Sequence, residues 1–120
     1  MREAQRRNAG ELRIPTLERI ATRGQVWARV AAKHGVMNPM PPWKSSLDGI
    51  CDALDRSGAA LPALERRHDE DLMSQALYAG LPAPESQLVA LAHSLVARGV
   101  IEEEALARRM EAVRARLEAA

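Results

Sequence analysis

The chain has 120 residues and a formal net charge of +1, with aromatic residues at only 2% and a single cysteine. That length is one domain's worth, and the near-neutral balance argues against a protein committed to binding polyanions. A lone cysteine excludes an intramolecular disulfide, fits a reducing cytoplasm, and leaves too few thiols for a zinc cluster. No apolar run approaches a signal-peptide core or a membrane span, so no membrane role is expected.

The aromatic set is Trp27, Trp43 and Tyr78, with no Phe. A core of Leu, Val, Ile, Ala and Met is therefore expected to be thin and to be completed in part by another chain. Charge is unevenly spread. Residues 1–60 hold ten Lys/Arg against six Asp/Glu, whereas residues 61–120 hold seven against ten.

Residues 1–14 lack a clear period and read as an extended arm. A helix is expected from Pro15-Thr16, with Leu17, Ile20, Ala21, Trp27, Val30 and Ala31 on one stripe and Gly35 as its stop. Pro39, Pro41 and Pro42 forbid a regular helix in the linker that follows, and Trp43 at its end reads as an anchor. Ser45 and Ser46 are candidate caps of the next helix, which carries Leu47, Ile50, Cys51 and Leu54 and ends at Gly58. Pro62 suits the first turn of a helix that runs through the charged stretch Glu65 to Asp71 and on to Leu77.

Gly80-Leu81-Pro82-Ala83-Pro84 breaks the chain again. The helix opened by Glu85 and Ser86 carries Leu88, Val89, Leu91, Ala92, Leu95 and Val96. Gly99 and Val100 then have the order of a Schellman motif. Glu102, Glu103 and Glu104 suit the start of a last helix with Leu106, Met110, Val113 and Leu117 as its stripe. The expected fold is all-α, about five short helices with Pro/Gly-rich connections, an extended N-terminal arm and no β-barrel domain. The expected division is an arm, helix and linker over 1–42 and a helical domain over 43–120.

The residues hold no complete active site. His34 and His93 lack ligand partners at helical spacing, His68 has carboxylates close by but no second His or Cys, and Cys51 falls on an apolar stripe, as a structural thiol would. No phosphate-binding glycine loop or nucleophile elbow is present. Arg6, Arg7, Arg13, Arg19, Arg23 and Arg29 could serve a helix-turn-helix, but the acidic second half opposes nucleic-acid binding.

From Trp43 to Leu117 the chain resembles the helical domain of nitrile hydratase β subunits and the thiocyanate hydrolase β subunit. The resemblance lies in the order of Pro42-Trp43-Lys44, the turn Arg56-Ser57-Gly58-Ala59, and the Arg-rich helix middle Glu65-Arg66-Arg67. After the Leu-Pro break come Leu95-Val96-Ala97-Arg98-Gly99-Val100 and a last helix opening Glu-Glu-Ala-Leu. The resemblance implies a lyase subunit, inactive alone, in a cytoplasmic complex that hydrates a small nitrile to an amide. It implies Co(III) or Fe(III) on a partner α subunit, held by a Cys-x-x-Cys-Ser-Cys motif with oxidised cysteines, and a separate barrel-type β subunit. This chain itself would bind no cofactor and no metal.

Within that resemblance the Arg that hydrogen-bonds the oxidised cysteines aligns with Arg66, or with Arg67 on a one-residue shift. A guanidinium suits the task, since it donates two parallel bonds to an anionic S–O group and keeps its charge. The competing reading is a surface arginine paired with Asp69 or Glu70 one turn on. The chain departs from the family at Ala83-Pro84-Glu85-Ser86-Gln87, where an aromatic Tyr-Tyr-Glu-Arg segment is usual, and at its Arg-rich start. An activator that inserts metal into the α subunit and an unrelated helical binding module are the alternatives.

Overall fold

The computed structural model describes residues 12–23, 26–58 and 62–119. The described residues form six helices and no strand: α1 (Pro15–Arg23), α2 (Trp27–Lys33), α3 (Lys44–Ser57), α4 (Ala63–Leu77), α5 (Glu85–Ala97) and α6 (Glu103–Ala119). The all-α reading holds, with one more helix than expected. Most of the arm expected over 1–14 lies outside the described residues.

The extra helix comes from dividing the element expected between Pro15 and Gly35. Val26 takes an extended conformation, φ −110° and ψ 153°, and α2 starts afresh behind it. The backbone N–H of Trp27, the first of that new helix, donates to Glu85 Oε2 at 2.5 Å. A side chain 58 residues away thus caps the restart, which no local pattern announces. The second end is as expected: Gly35 sits at φ +68°, and the Val36 N–H returns to the Ala31 carbonyl at 2.8 Å.

The start of α3 differs from expectation. Ser45 and Ser46 lie inside its first turn, and the cap position is Trp43, which makes no side-chain capping bond. The chain is already winding there, since the Lys44 N–H donates to the Pro41 carbonyl at 3.1 Å. Trp43 itself is half-buried. At the far end of α5 the Gly99 N–H bonds the Val96 carbonyl and the Val100 N–H bonds the Leu95 carbonyl, at 3.1 and 2.9 Å. This is the Schellman arrangement, with Gly99 at φ +76° where a Cβ would be strained.

The core is small. Ile14, Leu17, Met73, Tyr78, Leu81, Val89 and Ala90 form the buried cluster, with Val96 and Leu106 among the residues packed against it. It draws on chain segments either side of the Pro-rich linker. Helix α5 is central: Val89, Ala90, Leu91, His93 and Ser94 are all buried, so it is covered on more than one face. Helix α4 presents an unusual inner face, where Arg66 and Met73 are buried while Leu64 is 82% exposed.

The N-terminal segment is docked by Ile14 and Leu17 and by a second distant cap. Glu103 Oε2, in the first turn of α6, accepts from both Thr16 N and Thr16 Oγ1, at 3.2 and 3.1 Å. Glu103→Ala is expected to cost about 1 kcal/mol, the usual worth of a capping acceptor. Urea unfolding should show a lower midpoint at an unchanged slope.

Candidate functional site

Arg66 stands on the buried face of α4, one turn before Glu70 and two before Met73. Its side chain is 1% exposed. Nε donates to Glu70 Oε2 at 2.9 Å, and Nη2 lies 2.9 Å from Asp55 Oδ1 on α3 without the alignment of a hydrogen bond. Nη1 is buried and has no hydrogen-bond partner among the described residues. Arg67 is placed quite differently. Its side chain is 58% exposed and its guanidinium reaches the other oxygen of Asp55. Asp55 therefore ties both candidate arginines to α3.

Arg66, Arg67 and Glu70 border a cleft of about 280 Å³ between α3 and α4, with Cys51, Lys44, Ser74 and, from α5, Gln87 also on its walls. Burial raises the Glu70 carboxyl above its ordinary range, and the Arg66 guanidinium offsets only part of that. Burial, with Glu70 adding to it, likewise raises the Cys51 thiol, so it stays protonated at neutral pH. The cysteine is half-buried rather than sealed in the core. The cleft is thus bordered by a neutral thiol and by a fixed guanidinium neither of whose Nη atoms makes a hydrogen bond among the described residues.

The surface-arginine reading is right about Glu70 and wrong about exposure. Asp69, its other suggested partner, turns instead to Arg98 at the end of α5. Arg98 is buried and also donates through Nη1 to Ser94 Oγ at 2.8 Å. Helix α4 thus holds two buried or nearly buried guanidinium–carboxylate contacts along its inner face.

A second polar pair was not legible in the sequence. The Tyr78 hydroxyl and His93 Nδ1 share a hydrogen bond of 2.7 Å in the core, and their rings meet edge to face. Nothing at a separation of 15 residues marks such a pairing. Burial pushes the Tyr78 phenol up to about 12, with Glu18 adding to the shift. Of the other histidines, His34 and His68 are exposed. No group of three His, Cys, Asp or Glu placed to hold a metal occurs among the described residues, and no helix among them is long and apolar enough to cross a membrane.

Comparison with protein-family models, with curated proteins and with solved structures finds no match.

Two outcomes follow from this geometry. Arg66→Ala removes the buried guanidinium that both Glu70 and Asp55 meet, leaves the half-buried Glu70 carboxylate without that partner, and should cost about 3 kcal/mol. Arg67→Ala, at an exposed pair, should cost under about 1 kcal/mol. Chemical denaturation of the two variants separates the buried arginine from the exposed one.

Tyr78 is the only tyrosine, so tyrosinate absorbance reports it alone. The folded chain should titrate near 12 and the urea-unfolded chain near the ordinary value of 10. Because the unfolded chain releases this proton first, the corresponding stability is intact below pH 10 and is lost as pH rises from 10 towards 12. A folded-state midpoint near 10 would refute the burial of the phenol.

Proposed function

We propose that the chain is a β-type helical subunit of a multi-chain nitrile hydratase-like enzyme, inactive alone, that contributes Arg66 to a metal site carried by a partner α subunit. The observation that carries this reading is the unused Nη1 donor of Arg66, buried on the inner face of α4 beside a cleft. A buried guanidinium with an unspent donor is incomplete among the described residues and suits an anionic oxygen brought by another chain. The order of motifs from Pro42-Trp43-Lys44 to the last helix supports the same reading.

In such a complex the partner's Co(III) or Fe(III) would polarise a small nitrile or activate water. Arg66 would hold the oxidised cysteine oxygens in one orientation through its paired donors. Glu70 fixes Nε, which aims the remaining nitrogens, and Asp55 limits how far the plane can turn. A separate barrel-type β subunit would complete the assembly.

The same contacts favour a second reading. Asp55 and Glu70 give Arg66 intrachain work as a tie between α3 and α4, which is the role it would have in a helical binding module with no metal partner. Arg66→Lys separates the two, because it keeps the charge and removes the planar donor set. The experiment mixes the chain with a purified α-type chain bearing Cys-x-x-Cys-Ser-Cys and with its barrel subunit. A stable complex should form, and Arg66→Lys should lower nitrile hydration in it about 10- to 100-fold. Failure to assemble, or full activity and metal content with lysine, would overturn the assignment. Retention in the active complex at fixed stoichiometry, rather than release after metal loading, distinguishes a subunit from an activator.

A further inference from the structure

Helix α6 is the longest element and has no buried residue. Its beginning is held to the body by Leu106, which packs on the core, and by Glu103 on Thr16. Beyond that point Met110 and Val113 are half-buried and Leu117 is 71% exposed. Leu106, Met110, Val113 and Leu117 follow one another at intervals of four, three and four. This is the d–a–d–a spacing of a helix that pairs with another helix.

The flanks of that seam are basic. Arg109 and Arg116 fall on one side in the g positions, and Arg114 falls on the other in an e position. On Arg114's side, α6 and α1 enclose a groove of about 200 Å³ floored by Ile20 and Met110, with Arg19 and Arg23 of α1 on its wall. Glu111 also lines it, so the groove is predominantly rather than uniformly basic. None of these five arginines has an ion-pair partner among the described residues. By contrast, Arg13, Arg56, Arg66, Arg67 and Arg98 each meet a carboxylate of the chain.

We infer that the α6 seam and its groove against α1 dock an amphipathic helix of another chain whose apolar stripe is flanked by Glu or Asp. A second copy is disfavoured by the flanks themselves. Parallel pairing sets Arg109 against Arg114, antiparallel pairing sets each against its own kind, and either arrangement opposes like charges. The apolar floor suits a helix stripe better than a polyphosphate backbone. The partner's acidic flanks would supply the carboxylates that these arginines lack. This inference does not depend on Arg66 or on the nitrile hydratase reading.

The test uses the full chain and two synthetic helical peptides with Leu at a and d. One carries Glu at every e and g position and the other carries Lys. Fluorescence anisotropy should show the Glu peptide binding at least about tenfold more tightly, the combined effect of several exposed charge pairs. Added salt should weaken it. The triple variant R109E/R114E/R116E should reverse the preference, and Leu117→Ser should weaken binding of both peptides. All four positions are exposed, so circular dichroism should show an unchanged helix content in each variant.

Equal binding of the two peptides, or binding of neither, would overturn the proposal. So would Leu117-dependent dimerisation of the chain by itself, which would make a second copy the occupant. Binding to phosphatidylserine vesicles that the triple variant abolishes, with no binding of the Glu peptide, would assign the face to a lipid surface instead.

Discussion

The inner face of α4 carries charge where a small helical protein ordinarily carries leucine, and the arrangement of α3, α4 and α5 depends on how that charge is met. Arg66 is held by Glu70 of its own helix and Asp55 of α3, while Asp69 holds Arg98 at the end of α5. Removing such groups from water costs several kcal/mol each, so the contacts are weak arguments for net stability. Their strength lies in geometry. A guanidinium accepts few positions relative to a carboxylate, and the wrong register would leave a charge buried without a partner. In a chain with three aromatic residues, this polar register complements a core too small to define the packing alone.

The same economy governs how the first two helices attach. Acidic residues near a helix N-terminus ordinarily favour their own helix by the dipole effect. Here Glu85 and Glu103 open α5 and α6, yet their carboxylates reach across to the N-terminal amides of α2 and α1. Two elements at the front of the chain are thereby fixed by two from its second half. Ile14 and Leu17 add the apolar part of that attachment. The result is a body closed around α5, with α6 secured at one end and its apolar seam left partly uncovered.

The two candidate functional features have a common physical origin. Each is a group left incomplete among the described residues: a guanidinium donor beside the α3/α4 cleft, and a basic-flanked apolar seam on α6. Incomplete groups of this kind are stable when a second surface supplies the missing partner. That fits a chain whose work is done in contact with others, and it links the thin core to the proposed role as a subunit.

Helix content, the Gly35, Gly58 and Gly99 stops and the linker were legible along the sequence, because helix propensity, left-handed glycine and proline act over one or two turns. The Arg66–Glu70 contact was legible for the same reason, lying at i and i+4. The burial of Arg66 was not, since a polar run reads as a solvated face until Asp55, eleven residues earlier, is placed against it. The division of the first helix, the Tyr78–His93 pair and the Glu103 cap were hidden likewise, each needing two segments far apart in the chain. By itself the sequence determined where the chain turns and which residues can share a helical face. Only the tertiary structure decided which of those faces went inside, because burial and pairing of charge depend on neighbours that no local pattern specifies.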